Sequence, residues 1–395
     1  MTNTTSVSSD AIIFLPGIKG TTLVNTNRAD YDTIWSAIQS QYEDLNLLEL
    51  SFDDQDMGYD SWPHSLIKPG QIEGIVYSEF LRDIKTEKPI YLFNYDWRQN
   101  SQINAQRLQD FMSMLKQKSV ASKRFKTPLK RFDLIAHSHG ANVLRQLTAI
   151  EGFRRIGRIV LAAPPLQGSL DSVDAVLTGE GVFPGVRARV RKLIRTFPGA
   201  LELLPTYGAA HFDDESEVDF FNINDWQKNI LDANNSHADI FKQTLAIAKK
   251  VQSQLHDWSG LRKELRDRIL IIARDGYQTA QSVKVHRQMA TEPDNYIDLE
   301  HMYFSTNGDG TVPHVSSCAW SKKILTLMAT YSWRYRDYGH GFILKDERIQ
   351  KIVRRFLSRS KPFDWSIPGH SIKRVSSVQA ITNEHQLPDW SVTME

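Results

Sequence analysis

Three residues of this 395-residue chain have the types and the order needed for nucleophilic chemistry at a carbonyl carbon. Ser138 lies in the segment AHSHG, Asp309 in NGDGTVP and His340 in YGHGF. A serine attacks an ester carbonyl once a histidine accepts its proton, and a carboxylate holds that histidine in the right tautomer. The three residues therefore predict acyl transfer through a covalent intermediate on Ser138, with His340 as general base and Asp309 as orienting acid.

The surroundings of Ser138 favour a nucleophile on a sharp turn between a strand and a helix. The apolar run Phe132–Ala136 precedes the serine, and a helix is expected over Gly140–Ile150. Small residues two positions before and after such a serine let the strand and the helix pack closely, in the usual pattern G-x-S-x-G. Ala136 stands here for the first glycine. A serine that only caps a helix after a strand is the alternative that this segment leaves open.

His137 and His139 suggest a second alternative, because an H-x-H motif occurs in metal-dependent hydrolases. Those proteins typically carry a further Asp and His within the next three residues, where this chain has Ala141 and Asn142. We therefore expect neither a metal ion nor a cofactor.

Asp309 and His340 each lie in a loop flanked by glycine. Gly308 and Gly310 let the backbone around Asp309 turn tightly, so that its carboxylate can point towards a histidine. A histidine has a reference pKa near 6.5 and can take and return a proton near neutrality. A surface Asx turn or a calcium loop at Asp309 and a partly exposed loop histidine at His340 are the alternatives. The order of the three motifs, each after a strand candidate, favours the catalytic interpretation.

A serine nucleophile also requires two backbone N–H groups that stabilise the oxyanion. One is expected from the residue after the nucleophile, His139. The other is expected from a loop after an early strand, and Pro16–Gly20 is placed for this role, with Ile18 as the donor. A simple strand-ending turn is the alternative for that loop.

The elements that must position these residues follow an alternation of strands and helices. Short apolar runs predict strands at Ala11–Leu15, Pro89–Phe93, Phe132–Ala136, Ile156–Ala163 and Arg268–Ala273. Helical spacing of apolar residues appears in 104–120 and 348–357. This rhythm predicts an α/β fold with a mostly parallel central sheet and flanking helices.

Two regions interrupt this rhythm. We expect residues 11–165 to form the first part of the core, with a lid insertion at about 21–80, and residues 166–265 to form a helical cap insertion. Residues 266–360 complete the core, and 361–395 are expected to form an irregular C-terminal extension.

Composition excludes several classes of protein. A formal charge of +2 and a charged fraction of 24% do not favour a nucleic-acid partner. The single cysteine, Cys318, cannot form an intramolecular disulfide. The polar start of the chain does not resemble a signal peptide, and no apolar run reaches the roughly 18 to 20 residues that span a bilayer. We expect a cytoplasmic protein whose membrane contact is peripheral, and the oligomeric state is left open.

Several segments together resemble the lecithin:cholesterol acyltransferase family, which includes lysosomal phospholipase and phospholipid:diacylglycerol acyltransferases. These segments are FLPGIKGTTL, YDWR, AHSHG, AAPPLQGS, GDGTVP and GHGFI, spread over residues 11–357. The likeness is to a leaderless, bacterial-type member. It implies an α/β-hydrolase core with a lid and a cap, acting as a serine enzyme on glycerolipid or phospholipid acyl esters.

The resemblance also places individual residues. Ser138, Asp309 and His340 fall on the family's triad, and Ile18 and His139 fall on its oxyanion positions. Trp35 and Trp62 fall in its lid, and they are expected to be lid or substrate-binding residues. Lipid hydrolysis and acyl transfer to an alcohol both remain open. Two functions outside lipid turnover also remain open, a hydrolase of soluble esters or thioesters and a catalytically inactive lipid-binding protein.

Two further segments carry charge. In YDWR, Asp96 and Arg98 are expected to form buried ion pairs that hold loops near the site. Gly185–Pro198 is expected to form an amphipathic helix with arginines on one face. That helix either lies on an anionic membrane or, as we favour, packs on the core with its arginines paired to the acidic run 213–219.

Overall fold

A computed structural model describes residues 10–27, 32–37, 44–53, 56–63, 65–84, 88–122, 128–179, 187–231, 236–287, 296–331, 338–358, 363–366, 372–381 and 389–394. The strands in these ranges are β1 (Asp10–Leu15), β2 (Thr21–Asn25), β3 (Thr33–Trp35), β4 (Leu50–Phe52), β5 (Gly58–Asp60), β6 (Ile67–Ile72), β7 (Ile90–Leu92), β8 (Arg131–His137), β9 (Ile156–Ala162), β10 (Ala210–Phe212), β11 (Ile269–Arg274), β12 (Thr279–Val285), β13 (Tyr303–Ser305), β14 (Leu325–Ala329), β15 (Ile372–Ile381) and β16 (Asp389–Met394).

The α-helices are α1 (Gly74–Asp83), α2 (Ser101–Ala121), α3 (Gly140–Glu151), α4 (Leu170–Thr178), α5 (Arg187–Ile194), α6 (Pro198–Leu201), α7 (Ser236–Ser253), α8 (Lys263–Arg266), α9 (His314–Ser317) and α10 (Glu347–Leu357). Within the described ranges, no helix is both long enough and apolar enough to cross a membrane.

The central sheet has the strand order β16-β15-β14-β11-β9-β8-β1-β7. The strands from β14 to β7 run parallel to their neighbours. Successive residues of β1 explain why it is apolar from Ala11 to Leu15: Ile12 belongs to one buried cluster and Ile13 to another. Side chains alternate between the two faces of a strand, so both faces of this sheet are covered. The predicted fold class is thereby confirmed.

The C-terminal region differs from the prediction. Instead of an irregular extension, β15 pairs antiparallel with β14, and β16 pairs antiparallel with β15. The apolar residues Ile372, Val375 and Val378 recur at every third position rather than every second, which conceals the alternation typical of a strand. The register shift between Val375 and Ser377 accounts for the second interval, because the bulge lets Val375 and Val378 pack in the same cluster. Ile372 belongs to a different cluster.

Two insertions surround the carboxyl edge of the sheet. Residues 21–80 contribute the small sheet β3-β2-β6, the hairpin β4-β5 and most of α1. Residues 166–265 contribute α4 to α7 and strand β10, which pairs with β12 beyond this region. The second insertion is therefore joined to the later part of the chain through a three-stranded sheet. The assignment of the two insertions as lid and cap stays a prediction.

The arginine-bearing segment forms α5 with Val190, Leu193 and Ile194 buried, as its amphipathic pattern predicts. Part of the predicted helix, 185–186, lies outside the described residues. Arg191 and Arg195 donate to the Leu177 and Val176 carbonyls near the end of α4. The acidic run has other partners: Asp213 pairs with His286 and Asp219 with Lys249. The expected pairing with the acidic run is thus not what holds Arg191 and Arg195, because α5 packs against α4 and brings both side chains to the α4 carbonyls.

The ion pairs expected of YDWR are confirmed. The Arg98 guanidinium contacts the Asp96 carboxylate at 2.7 Å and the Asp60 carboxylate at 3.0 Å. Arg98 also donates to the Leu48 carbonyl at 2.9 Å. Because Asp60 and Leu48 belong to the first insertion, this buried arginine fastens that insertion to the segment after β7.

Candidate active site

Ser138 lies on a strained turn between β8 and α3. Its φ angle is +51°, a left-handed conformation that costs a non-glycine residue about 1 kcal/mol or more. The Ser138 N–H donates to the Ala162 carbonyl of β9 at 2.9 Å, which holds the turn in place. Gly140 is required on the other side, because a Cβ there would lie 2.8 Å from the Pro16 carbonyl oxygen. This is the strand–turn–helix context that the sequence predicts for a nucleophile.

The three residues singled out from the sequence form one hydrogen-bonded chain. The Ser138 Oγ lies 2.9 Å from His340 Nε2, and His340 Nδ1 lies 2.8 Å from Asp309 Oδ2. A carboxylate only accepts, so Nδ1–H donates to Asp309, and Nε2 is left to accept the serine proton. The structure therefore brings together Ser138, His340 and Asp309 in the geometry of a nucleophile, a base and an orienting acid.

Asp309 is fixed by its own loop. Its Oδ1 accepts the N–H groups of Thr311 at 3.1 Å and Val312 at 2.7 Å, which leaves Oδ2 for His340. Burial alone would raise the pKa of this carboxyl, but the charge and hydrogen bond of His340 and the two N–H groups outweigh it. The pKa of Asp309 is lowered, and the group is a carboxylate at neutral pH.

His340 is the first residue of a short 3₁₀ helix, His340–Lys345, that leads into α10. Burial acts to lower the pKa of its imidazole, but the Asp309 carboxylate outweighs burial, with a smaller contribution from Asp171. The pKa of His340 is therefore raised. Asp309 thus stabilises the charged imidazolium that forms when the base takes a proton.

A second histidine supports the loop that carries His340. His137 Nε2 lies 3.0 Å from the His340 backbone carbonyl, and His137 Nδ1 lies 2.8 Å from the Tyr77 hydroxyl. Burial, together with the charge of His340, lowers the pKa of His137 to about 3, so its imidazole is neutral. Because a carbonyl only accepts, Nε2–H donates to it, and Nδ1 accepts from Tyr77. The Tyr77 oxygen in turn accepts the Gly17 N–H at 2.9 Å.

His139 has a different set of neighbours. Its Nδ1 lies 3.1 Å from the Tyr95 hydroxyl, and its Nε2 lies 3.6 Å from a Glu202 carboxylate oxygen. The imidazoles of His137 and His139 thus contact separate partners in the core. The two rings do not converge on a common point, so they do not form the ligand pair of the metal-dependent alternative.

The two expected oxyanion donors face no acceptor in the protein. Across the described ranges, the N–H groups of Ile18 and His139 have no intramolecular hydrogen-bond partner. The Ile18 loop is closed by a hydrogen bond from Gly20 N–H to the Gly17 carbonyl at 3.1 Å. Both donors remain available for an oxygen bound next to Ser138, and their role as an oxyanion hole stays a prediction.

Ser138 and His340 lie on the wall of a cavity of about 670 Å³. The rest of this wall is mainly apolar and includes residues from both insertions and from the sheet edge, among them Val76, Ala175, Ile194, Phe197, Leu203, Met302 and Phe304. Cavities of this size and character bind small organic molecules and lipid chains.

Neither predicted lid tryptophan lines this cavity. Trp35 is buried and packs edge-on against Trp97, with ring centroids 5.3 Å apart. Trp62 is 45% exposed on the surface of the first insertion. Their position in a lid stays a prediction, whereas direct substrate contact in this conformation does not fit their placement.

Three charged residues of the cavity wall, Lys19, Asp171 and Asp174, were not expected from the sequence. Lys19 directly follows Ile18, the expected oxyanion donor, so its place near the site could have been inferred from the sequence. Asp171 lies in AAPPLQGSLD, one of the segments that carries the family resemblance, but nothing in its local pattern marks it as part of a site.

Comparisons with known proteins agree with this architecture. Residues 82–267 match the model of the lecithin:cholesterol acyltransferase family, which confirms the resemblance over that region. The match includes the YDWR, AHSHG and AAPPLQGS segments. The description of this family supports an ester-acting hydrolase or acyltransferase.

Among solved structures, a chain of the Tle4–Tli4 complex aligns with a TM-score of 0.59 at 15% identity, over 91% of this chain and 100% of its own. A product of the Listeria innocua gene lin2722 aligns over 91% and 100%, at 13% identity and a TM-score of 0.36. A lipase-esterase related protein from Clostridium acetobutylicum aligns over 90% and 95%, at 9% identity and a TM-score of 0.34. No curated protein matches the sequence. The sheet order and the first of these likenesses show one fold, the α/β-hydrolase fold.

Proposed function

We propose that this α/β-hydrolase, whose residues 82–267 match the lecithin:cholesterol acyltransferase family, is a serine-dependent lipid acyl-ester hydrolase or acyltransferase. The observation that carries the proposal is the hydrogen-bonded chain from Ser138 through His340 to Asp309 at the wall of a largely apolar cavity. The three hydrogen-bonded residues supply a nucleophile, and the cavity supplies a place for the acyl group of the substrate.

The first half of the reaction forms an acyl-enzyme. His340 Nε2 accepts the Ser138 proton as Oγ bonds to the ester carbonyl carbon, and the carbonyl oxygen becomes an oxyanion. The N–H groups of Ile18 and His139 stabilise that charge. The bond to the alcohol then breaks, and His340 returns the proton to the leaving alkoxide. Asp309 keeps Nδ1 protonated throughout.

The second half releases the acyl group. A water molecule or a second alcohol gives its proton to His340 and attacks the acyl carbonyl carbon, and the Ser138 Oγ leaves and is reprotonated. Water yields a free fatty acid, as in a phospholipase, whereas an alcohol yields a new ester. The alcohol acceptor competes better when the first insertion excludes water from the cavity.

A glycerolipid substrate is favoured over a soluble ester by the wall of the cavity. Residues such as Phe197, Leu203 and Met302 offer burial for methylene groups, each worth about 0.8 kcal/mol. A short, polar ester leaves most of that surface unused.

Lipid mass spectrometry on mixed phospholipid vesicles tests the proposal, with Ser138→Ala as the matched control. We expect fatty acid and lysophospholipid from the unmodified protein only, and a new acyl ester when an alcohol acceptor is added. A fluorophosphonate probe should label the unmodified protein and leave Ser138→Ala unlabelled. Probe labelling without lipid products would favour a hydrolase of soluble esters or thioesters. Absence of both would favour a catalytically inactive lipid-binding protein and contradict the proposal.

A further inference from the structure

Lys19 and Asp171 place opposite charges on the wall of the cavity that contains Ser138 and His340. Lys19 belongs to the loop after β1 and has a φ angle of +60°, a conformation that a lysine adopts only when its surroundings impose it. Asp171 belongs to the first turn of α4, in the second insertion. The two charges therefore come from separate parts of the fold that meet at the cavity.

The Lys19 ammonium has no ion-pair partner in the described part of the chain. The centroid of the Trp35 ring lies 5.9 Å from its Nζ, and the charge of Asp171 acts on it through the cavity. The third charged residue of the wall, Asp174, accepts the Thr178 hydroxyl at 2.9 Å. A charge that borders an apolar space without a contacting counter-ion is costly, and a ligand of opposite charge removes that cost.

The pKa shifts of Lys19 and Asp171 agree with charges that lack a contacting counter-ion. Burial lowers the pKa of Lys19, and the charge of Asp171 opposes the shift only in part. Burial raises the pKa of Asp171 to about 7, although Thr311 and His340 act to lower it. In each case burial disfavours the charged form more than the neighbouring groups stabilise it.

Asp171 lines the same cavity wall as His340, the group that returns a proton to the leaving alcohol, and its charge acts on that imidazole. Lys19, by contrast, follows Ile18, the expected oxyanion donor. A substrate whose alcohol portion carries both a negative and a positive charge can therefore meet both residues while its ester lies at Ser138.

On the basis of the proposed function, we propose that Lys19 and Asp171 select the head group of the lipid by its charge. Lys19 pairs with the phosphodiester, and Asp171 pairs with the ammonium of a zwitterionic head group. An anionic head group that lacks the ammonium meets Asp171 without compensation and is disfavoured. The two residues determine specificity and take no part in the proton transfers.

Monomeric short-chain lipids test this without the complication of a membrane surface. The substrates are dihexanoyl phosphatidylcholine, which is zwitterionic, dihexanoyl phosphatidylglycerol, which is anionic, and dihexanoylglycerol, which is neutral. We measure kcat/KM for each at about pH 8, above the pKa of Asp171. Values for the two phospholipids are divided by the value for dihexanoylglycerol, which removes general effects of a substitution on catalysis.

The unmodified protein should prefer phosphatidylcholine over phosphatidylglycerol. Asp171→Asn should reduce that preference about tenfold, as expected for loss of one charge-assisted contact, and Asp171→Lys should reverse it. Lys19→Met should lower the normalised rates on both phospholipids. Asp214→Asn, the same change at an exposed aspartate of the loop after β10, should leave the preference unchanged.

Thermal melts establish that each variant is folded, and Asp171→Asn, which has nearly the same shape as the native residue, decides the outcome if Asp171→Lys does not fold. An unchanged preference in Asp171→Asn, with hydrolysis that depends on Ser138, would overturn the assignment and leave the proposed function intact. Failure of all three lipids to be cleaved in a Ser138-dependent way would overturn both.

Discussion

His137 donates its Nε2–H to the backbone carbonyl of His340, with 3.0 Å between the two atoms. The residue directly before the candidate nucleophile thus holds the loop of the candidate base. Through Tyr77, the same imidazole is joined to Gly17, next to the expected oxyanion donor Ile18. One neutral, buried ring connects the three loops that must meet at the reacting ester.

Tyr77→Phe tests this connection. The substitution leaves the Gly17 N–H and the His137 Nδ1 without their partner, and each buried group left unsatisfied costs about 1–3 kcal/mol. We expect a lower free energy of unfolding in urea. We also expect kcat to fall by up to about 100-fold, because small displacements of reacting groups are costly, while KM changes little. Loss of stability with an unchanged kcat would limit Tyr77 to a structural role.

Asp309→Asn tests the orienting acid. The amide oxygen can still accept the Thr311 and Val312 N–H groups, so the loop should keep its shape. The amide nitrogen then faces His340 and favours the wrong tautomer, and kcat should fall about 10,000-fold. Steady-state kinetics on a neutral ester measure the effect, with Asp214→Asn as the control for a charge change at the surface. A loss smaller than tenfold would contradict the role given to Asp309.

The pH profile reports the charge state of His340. The base must be neutral to accept the Ser138 proton, so kcat/KM should rise with pH through the pKa of His340. That pKa is raised, so the midpoint should lie above the ordinary histidine value of about 6.5. In Asp309→Asn the remaining activity should have its midpoint at lower pH. Burial lowers the pKa of His340, and the carboxylate that opposes this effect is then missing. A midpoint that does not move between the two proteins would exclude the Asp309 carboxylate as the cause.

Asp346→Asn tests the buried ion pairs at the end of the 3₁₀ helix that begins with His340. Asp346 is buried, caps α10 and pairs with both Arg274 and Arg348. Removing its charge leaves two arginines uncompensated, and we expect a loss of about 3–5 kcal/mol in the free energy of unfolding. Burial acts to raise the pKa of Asp346, but the two arginines outweigh it and lower that pKa.

The sign of this pKa shift sets a pH dependence for the same variant. A carboxyl with a lowered pKa in the folded state stabilises the protein above its ordinary pKa of 3.8, and this stabilisation is lost as the pH falls through the folded value. Urea unfolding of the unmodified protein and of Asp346→Asn should therefore show a difference in the free energy of unfolding that becomes smaller at acidic pH. If this difference stays constant down to acidic pH, packing rather than charge accounts for the lower stability of Asp346→Asn.

The parallel part of the sheet could be predicted because its strands are buried on both faces. Segments such as Ala11–Leu15 are apolar throughout, and the turns after them are rich in glycine and proline. Ser138, Asp309 and His340 could be identified because their motifs occur in the order typical of this fold, each after a strand candidate. In the structure Asp309 follows β13, which belongs to the small sheet rather than to the central one.

The remaining features depend on contacts between distant parts of the chain. β15 is bulged, so its apolar residues do not alternate, and its pairing with β14 is invisible in its own sequence. Trp35 packs against Trp97, sixty-two positions later, and no local pattern distinguishes such a ring from one that contacts substrate. Asp171 reaches the cavity through the packing of α4 against α5 and β12, so its spacing in the sequence carries no signal.

The second insertion leaves the central sheet at the end of β9 and returns at the start of β11, and these two strands are neighbours. Because the two strands are parallel, this connection must cross from the carboxyl edge of the sheet back to the amino edge, and the pairing of β9 with β11 fixes both of its ends. The entropy of closing such a loop grows only slowly with its length, so residues can be added to or removed from this excursion without altering the strand register. Apart from β10, which pairs with β12, this excursion is in that sense an exchangeable module: its length and composition can vary while the serine and histidine loops stay on the central sheet.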